Sequence, residues 1–457
     1  MNSNVSKRTV LLVATMGSFL APFMGSSINI AIPSIGKEFA LDAVLLSWVA
    51  TSYLLAAAVF LVPFGRIADI YGRKRIFTLG IIIYTISSFL SAMSNSVVML
   101  ISCRVLQGMG GSMVFGTGVA ILTSVFPAGE RGRALGINVA AVYLGLSLGP
   151  FLGGILTQYF GWRSIFLANV PLGLIIIAAI FWKLKGEWAE AKGEKFDLGG
   201  SMIYGLAIIA TVYGLSLLPA RWGIFVILIG ISGILIFIWW ERKTASPVLH
   251  MDLFRKNAVF AFSNLAALIN YSATFAVAFL LSLYLQHTKG LSPQNAGLIL
   301  VSMPAIQAVF SPIAGRLSDK IEPRILASSG MGLTTVGLGL FTLLDQKTTM
   351  EFILVSLITL GFGFALFSSP NTNAVMSSVN KRSYGVASAT LATMRQIGMT
   401  LSMGITMLIF ATYMGRVEIT PEYYPSFLIS MKIAFIIFTS LCFAGIFASL
   451  ARGKLKQ

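Results

Sequence analysis

The sequence predicts an all-α polytopic membrane protein with 14 transmembrane helices, arranged as two pseudo-symmetric six-helix bundles plus two inserted helices. Hydrophobic residues make up 56% of the 457-residue chain and charged residues only 11%, whereas soluble domains carry roughly 25% charged residues. Long apolar runs follow one another along the chain, and a spanning helix needs about 20 such residues. A charged loop motif also returns about 250 residues after its first occurrence, which indicates an internal repeat.

The first six predicted spans follow the short cationic start Lys7-Arg8. They cover Thr9–Ile32, Val44–Phe64, Ile76–Met93, Val98–Val125, Ala134–Phe160 and Ile165–Trp182. The first run lies where a signal peptide would lie, but a polar pattern fills its far end and more spans follow. These two features favour a retained helix.

Two more spans lie in the middle of the chain, between the charged links 183–197 and 241–257. They cover Leu198–Leu218 and Gly223–Trp240, and the last six cover Ala258–Leu285, Ala296–Ala314, Ile325–Leu344, Phe352–Pro370, Val386–Ala411 and Phe427–Leu450. The repeat divides the chain into an N-terminal bundle (1–182), an insertion (183–257) and a C-terminal bundle (258–457). Parallel halves with substrate near the bilayer midplane are a transporter design.

The net charge of +17 does not indicate nucleic-acid binding, because the basic residues cluster in alternate short loops. This is the positive-inside pattern, and it predicts a cell-membrane protein with both termini cytoplasmic. The Lys and Arg residues expected in outer loops are Lys37, Arg163, Arg221, Lys289, Lys347 and Arg416. The expected partners are a small-molecule substrate, the lipid bilayer and coupling protons, and a monomer is expected.

Other function classes find little support. Cys103 and Cys442 both lie inside apolar runs, so no disulfide framework is implied. The sequence contains no P-loop, no cluster of metal ligands and no Ser-His-Asp arrangement. We therefore expect no enzyme activity, no cofactor and no metal.

A charged loop, residues 65–75, separates the second and third spans and carries four cations around Asp69. Asp69 can pair with Arg73 four residues later and can also face the positive N-terminus of a helix. A single loop of this kind could simply be a charged connection between two spans. Its recurrence at residue 315 favours a conformational latch. The predicted latch residues are Gly65, Arg66, Asp69, Gly72, Arg73, Gly315, Arg316 and Asp319.

Two arginines lie within predicted spans, where a charge costs roughly 2.5–3.5 kcal/mol on insertion scales. Arg104 shares a helix face with Gln107, and Arg395 lies next to Gln396 near the middle of its span. A proton or substrate pathway is one interpretation of these four residues. The alternatives are that Arg104 reaches the outer headgroups and that Arg395 has a purely structural role.

The fifth span carries glycines at helical spacing around a proline: Gly145, Gly149, Pro150, Gly153 and Gly154. Glycines allow close helix packing, and the proline favours a bend. Generic small-residue packing would explain the glycines alone. Polar, aromatic and methionine side chains elsewhere in the spans are candidates for a substrate cavity or for ordinary contacts between helices: Met24, Asn29, Asn270, Tyr271 and Gln307.

Taken together, these motifs resemble those of the major facilitator superfamily, and in particular its fourteen-spanner drug:proton antiporters. The loop 65–75 resembles the loop signature, and the segment around Arg104 resembles a signature whose arginine is associated with proton transfer. Gly149-Pro150 with Gly153-Gly154 resembles the antiporter signature of exporters. The first-span pattern resembles that of the fourteen-spanners, which usually carries an aspartate where this chain has Met24.

The resemblance implies a secondary active exporter of amphipathic small molecules that works by alternating access. The chain departs from that pattern because none of its 16 Asp and Glu residues lies in the middle of a predicted span. A cavity with buried cations and no buried anion favours a neutral, zwitterionic or anionic substrate. A facilitator or flippase for an anionic or lipid-like metabolite is the alternative, and a membrane sensor or polytopic enzyme has no supporting feature.

Overall fold

A computed structural model describes residues 6–244, 246–249, 251–318, 320–379 and 384–453. The helices are α1 Lys7–Phe39, α2 Ala43–Tyr71, α3 Arg73–Ala92, α4 Val97–Val125, α5 Ala128–Phe160, α6 Arg163–Lys183, α7 Leu198–Leu217, α8 Arg221–Glu241, α9 Met251–Lys256, α10 Ala258–Thr274, α11 Ala276–Leu283, α12 Pro293–Leu300, α13 Ser302–Leu317, α14 Pro323–Phe341, α15 Met350–Ser377, α16 Tyr384–Tyr413 and α17 Tyr424–Ala451. A π-helical turn at Tyr284–Thr288 continues α11.

Thirteen helical stretches in the described part of the chain are long and apolar enough to cross a membrane. They confirm a multi-pass, all-helical membrane protein. The eleventh predicted span, Ile325–Leu344, corresponds to α14, which is not among the thirteen. Glycine, serine and threonine residues and Arg324 dilute the apolar character of this helix, so the count of fourteen stays a prediction.

Helices α1–α6, the N-terminal group, pack on one another, with close pairs between α1 and α5 and between α4 and both α2 and α3. Helices α10–α17, the C-terminal group, do the same, with α14 against α15 and α10 against α16 and α17. Small residues permit these approaches. A Cβ on Gly110 of α4 would lie 2.8 Å from the Gly80 carbonyl oxygen of α3, so only glycine fits there.

The helix connections meet at two ends of the molecule. At one, the basic end, Lys7 lies 2.8 Å from Glu130, and the loop 65–75 meets the segment that follows α6. At the opposite end, Arg163, the first residue of α6, forms a salt bridge with Glu38 at the end of α1. Contacts between connections that are distant in sequence therefore define both ends.

Hydrogen bonds join the two helix groups at the opposite end and in the middle. Ser282 Oγ donates to the Asn29 carbonyl oxygen, and Gln286 Nε2 donates to the carbonyl oxygen of Ile30 at 3.0 Å. Near the middle, Gln396 Nε2 donates to the carbonyl oxygen of Leu54 at 3.1 Å. Among the described residues, no hydrogen bond joins the two groups at the basic end.

The hairpin of α7 and α8 packs against both groups mainly through α7. Tyr204 of α7 donates its hydroxyl to the Ala58 carbonyl oxygen of α2 at 2.9 Å, and Leu215 approaches Gly404 of α16. Helix α8 packs on α7 and leaves most of its apolar surface exposed. In a membrane, that exposed surface would face lipid.

Candidate transport pathway and loop latch

The loop 65–75 centres on Arg73, the first residue of α3, which is 6% exposed. Its guanidinium donates to Asp69 Oδ1 at 2.8 Å and to Glu190 Oε1 at 2.7 Å. It also donates to Ser124 Oγ at 2.6 Å, near the end of α4. The predicted pairing of Asp69 with Arg73 is present, and a second carboxylate that sequence reasoning did not place there shares the same cation.

That second carboxylate belongs to the acidic strap, residues 184–197, which follows α6 and lies across the loop. Backbone bonds fix the strap, because Arg73 N–H donates to the Trp188 carbonyl at 2.8 Å and Ala191 N–H donates to the Asp69 carbonyl at 2.9 Å. Glu194 pairs with Arg66, the other latch cation of this loop. The strap therefore holds the loop 65–75 within the N-terminal group.

Gly72 lies where the strap and the loop meet. Its φ of 122° is a conformation that side chains disfavour, and a Cβ there would lie 2.7 Å from Glu187 Oε1. Glu187 Oε1 also accepts the Lys74 N–H at 2.8 Å. Gly65 differs, because a Cβ there would meet nothing within 4 Å.

The second copy of the motif lies at the end of α13. A Cβ on Gly315 would lie 2.8 Å from Ser369 Oγ of α15, which places the motif's first glycine against a neighbouring helix. Arg316 is in the last turn of α13. Asp319 lies outside the described residues.

Arg104 is 1% exposed and points into the N-terminal group. Its Nε donates to the Val49 carbonyl oxygen at 3.1 Å, and Nη1 donates to Gln107 Oε1 at 2.5 Å. The guanidinium also stacks on the Tyr53 ring, 4.6 Å from its centroid. Gln107 in turn donates to Ser88 Oγ at 2.7 Å, so a chain of polar contacts links α2, α3 and α4.

Arg395 lies at the centre of a cluster between the two helix groups. Its Nη2 donates to Thr372 Oγ1 at 2.6 Å, and its guanidinium lies 5.6 Å from the centroid of the Tyr271 ring. Its Nε has no hydrogen-bond partner, and the residue is half-buried. This Nε atom is itself buried, so a ligand would contact the exposed part of the residue, and guanidinium N–H groups donate to anions or carbonyl groups.

The aromatic part of this cluster was only partly predicted. Tyr271 packs edge-on against Phe364, with centroids 5.2 Å apart, and Ser368 lies close enough to interact with its hydroxyl. Tyr143 of α5 lies close enough to interact electrostatically with Tyr271. We call Tyr143, Tyr271, Phe364, Ser368, Thr372 and Arg395 the Arg395 cluster. Residues from both groups thus surround one position, and no sequence motif marked Tyr143, Phe364, Ser368 or Thr372.

The glycines of α5 approach two different neighbours, α1 and the C-terminal group. Gly145, Gly149 and Gly153 face α1, and Ser27 Oγ donates to the Gly149 carbonyl at 2.9 Å. Gly154 instead faces the C-terminal group, since a Cβ there would lie 2.7 Å from the Pro293 carbonyl oxygen. The Pro150 carbonyl oxygen likewise meets Gly297 of α12. One helix therefore packs within its own group and also forms the contact between groups.

The remaining cavity candidates are all buried. Met24 is fully buried in apolar packing, and Asn29 and Gln307 are 5% and 4% exposed. Asn270 is fully buried, and neither atom of its side-chain amide has a hydrogen-bond partner. Such an orphan amide costs free energy, and its neighbour in sequence is Tyr271 of the Arg395 cluster.

Arg452, just after α17, is a buried cation that sequence reasoning missed. It is 2% exposed and donates to the Ser449 carbonyl oxygen at 2.7 Å and to Asn371 Oδ1 at 3.1 Å. Burial, together with nearby Arg324, lowers the pKa of Arg452 to about 10. At the basic end, Arg452 therefore links α10, α15 and α17.

Comparison with known proteins gives one consistent family. The model of the Major Facilitator Superfamily matches residues 14–403 and again 263–454. The riboflavin transporter RibZ of Clostridioides difficile is 32% identical, with 96% of each chain covered. The multidrug resistance protein Stp of Mycobacterium tuberculosis (strain CDC 1551 / Oshkosh) is 30% identical over 90% of this chain and 77% of its own. The cephamycin export protein CmcT of Amycolatopsis lactamdurans is 31% identical over 85% and 82%.

Solved structures agree on the fold. A bacterial homologue of the human lysosomal transporter Spinster, in an inward-facing and unoccupied conformation, has a TM-score of 0.66 at 19% identity and covers 98% of this chain and 97% of its own. A D-xylose–proton symporter has the same TM-score at 15% identity, with 94% and 96% covered. The chain therefore belongs to the Major Facilitator Superfamily, and it is a transporter rather than an enzyme.

Proposed function

We propose that the protein is a secondary active exporter of amphipathic small molecules in the cell membrane. It works by alternating access between two six-helix bundles, with α7 and α8 as the inserted pair among fourteen spans. Both termini and the basic end face the cytoplasm, as the distribution of Lys and Arg favours. The supporting observation is that hydrogen bonds close the opposite end, while Tyr143, Thr372 and Arg395 of the cluster between the groups stay half-buried.

In this scheme the structure corresponds to an inward-facing state. Substrate enters from the basic end and reaches the Arg395 cluster, where aromatic rings and a guanidinium are available. The loop 65–75 and its partner near residue 315 then act as the latch of the opposite conformation. A proton gradient is the proposed driving force, and Arg104 with Gln107 is the candidate relay.

The substrate class follows from the charges. Arg104 and Arg395 lie within the spans, and no described Asp or Glu lies in the middle of a candidate span. A positive potential at low dielectric disfavours a permanent cation. The name of the relative RibZ points to the same kind of molecule, because riboflavin is aromatic and uncharged.

Transport into proteoliposomes under an imposed pH gradient tests the proposal. We expect uptake of riboflavin, as a neutral aromatic probe, to depend on the gradient and to stop with a protonophore, and ethidium to be transported poorly. Robust ethidium transport that survives Arg395→Ala would overturn the assigned substrate class. Lys432→Ala is the matched control, because it removes one cation from an exposed position on α17.

A second candidate function is a facilitator or flippase for an anionic or lipid-like metabolite. The relative named as a riboflavin transporter favours a metabolite over a drug. Equal transport with and without the pH gradient would select the facilitator, because a facilitator needs no coupling ion.

A further inference from the structure

Two carboxyl groups meet at the basic end of the α7–α8 hairpin, away from the proposed pathway. Asp197 caps α7, and its Oδ1 accepts the Gly200 N–H at 2.9 Å, while Trp240 Nε1 donates to Oδ2 at 3.0 Å. Glu241 is the last residue of α8 and is 3% exposed. Its Oε2 accepts the Leu249 N–H at 2.9 Å, and its Oε1 has no hydrogen-bond partner.

The unpartnered oxygen of Glu241 lies beside Gly200 of α7, as does one oxygen of Asp197. A Cβ on Gly200 would lie 2.8 Å from Glu241 Oε1 and would collide with Asp197 Oδ2, so both oxygens lie beside the same point of the backbone. Only a glycine at this position lets the two carboxyl groups approach the first turn of α7 together. The two side chains come from helices joined by a short turn.

The charged groups around the pair do not neutralise it. Arg242 and Lys243 follow Glu241 on the same chain and are exposed, and Lys243 lies over the Trp239 ring at 4.0 Å. Arg255 and Lys256 of α9 are exposed as well. The described part of 244–249 and the rest of α7 contain no charged side chain, and no described cation forms a salt bridge with either carboxyl group.

We propose that Asp197 and Glu241 form a proton-binding pair that holds one proton at neutral pH, with Glu241 Oε1 as the donor and Asp197 Oδ2 as the acceptor. A buried carboxylate oxygen without a donor is costly, and two adjacent carboxylates do not both ionise readily. Asp197 is the anion of the pair, because two N–H groups already point at it. The proton gives Glu241 Oε1 the partner that it otherwise lacks.

The pair acts as a proton-sensitive joint between the hairpin and the C-terminal group. Glu241 also holds the backbone of Leu249, and this segment leads through α9 into α10. Loss of the proton places two negative charges against each other at the start of α7, the helix that packs on both groups. Alkaline pH should therefore loosen this joint.

Difference infrared spectroscopy of the purified protein tests the proposal. The wild-type minus Glu241→Gln spectrum should contain the C=O band of a protonated carboxylic acid at neutral pH. Glu38→Gln, which changes a carboxylate paired with Arg163, should remove no such band. Absence of the band from the first difference spectrum overturns the proposal.

A second measurement covers the case in which Glu241→Gln does not fold. Asp197→Asn keeps a residue that can cap α7 and removes the neighbouring anion, so the band should disappear at a lower pH than in the wild type. The melting temperature of the wild type should fall as the pH rises above the ordinary glutamate range of about 4.3, because unfolding releases the proton. An unchanged titration in Asp197→Asn or a flat wild-type profile contradicts the pair.

Discussion

Arg104 and Arg395 carry positive charges among apolar helices, and neither pairs with a carboxylate among the described residues. Their guanidinium groups instead contact carbonyl, amide or hydroxyl oxygens and aromatic rings. The two sites differ in how complete these contacts are. Arg104 is 1% exposed within one helix group, whereas Arg395 is half-buried between two groups and has a free Nε–H. The first suits a fixed structural or relay role, and the second suits contact with a substrate.

Asp69→Asn should slow transport more than it reduces folding. The substitution removes one of two carboxylates that lie 2.7 Å from the Arg73 guanidinium, but Glu190 still pairs with that cation and the Asp69 carbonyl still accepts from Ala191. We expect normal abundance in the membrane and a lower turnover rate. Transport assays and quantitative blotting check this, and either normal transport or loss of the protein would argue against the latch.

Arg395→Ala should reduce transport of an anionic substrate more than that of a neutral one. Removing the guanidinium deletes the positive charge of the cluster, while the rings of Tyr271 and Phe364 remain. Initial rates for an anionic and a neutral fluorescent probe provide the comparison. An equal loss for both probes would indicate that Arg395 only supports the packing of α16.

At the scale of helices, sequence reasoning placed the spans well because long apolar runs have no alternative to forming helices in a bilayer. The sequence could not show that Glu190 forms a second salt bridge with Arg73. The strap contains several acidic residues, and their charge does not indicate which of them lies beside Arg73. Tyr143 was missed for a similar reason, since its significance comes from facing Tyr271 across the groups. Long-range contacts of this kind leave no local pattern in the sequence.

Gly149→Val should destabilise the packing of α1 on α5. A Cβ at Gly149 would lie 2.8 Å from Ser26 Cβ and 2.9 Å from the Phe23 carbonyl oxygen, and overpacking typically costs about 1–3 kcal/mol. Gly25→Val is the control, because a Cβ at Gly25 meets nothing within 4 Å. A lower melting temperature for Gly149→Val than for Gly25→Val is expected, and equal values would contradict this packing.

Helices α7 and α8 should lie outside the water-filled pathway. Tyr204 and Leu215 of α7 contact the outer sides of α2 and α16, and α8 is mostly exposed toward the region where lipid would lie. Cysteines introduced along either helix should react with thiol reagents independently of substrate. Strong protection by substrate at these sites would show that the hairpin lines the cavity.

At the scale of the whole molecule, the hydrogen bonds between the two helix groups among the described residues lie at Leu54 and Gln396 or toward the opposite end. The acidic strap at the basic end leaves the loop 65–75 bound within its own group. In the proposed cycle, the contacts at the opposite end have to break when that end opens. The energy barrier between states should therefore depend on residues such as Gly154.

Gly154→Val should shift the protein toward a state that is open at the opposite end. A Cβ at Gly154 would lie 2.7 Å from the Pro293 carbonyl oxygen and 3.0 Å from Gln294 Cα, so closure of the two groups becomes unfavourable. The contact joins the two groups and does not stabilise either one, and folding should therefore be retained. Gly136→Val on the same helix is the matched control, because a Cβ there meets nothing within 4 Å.

The readout for this prediction is thiol labelling of Ser282→Cys in a background without Cys103 and Cys442. Ser282 is fully buried where its hydroxyl bonds to Asn29, so a membrane-impermeant reagent should label it slowly in the parent and in Gly136→Val. Gly154→Val should label several-fold faster, since opening of this end exposes position 282 to water. Equal labelling in all three proteins would mean that Gly154 does not control closure, and faster labelling in Gly136→Val as well would mean that any valine on α5 loosens the fold.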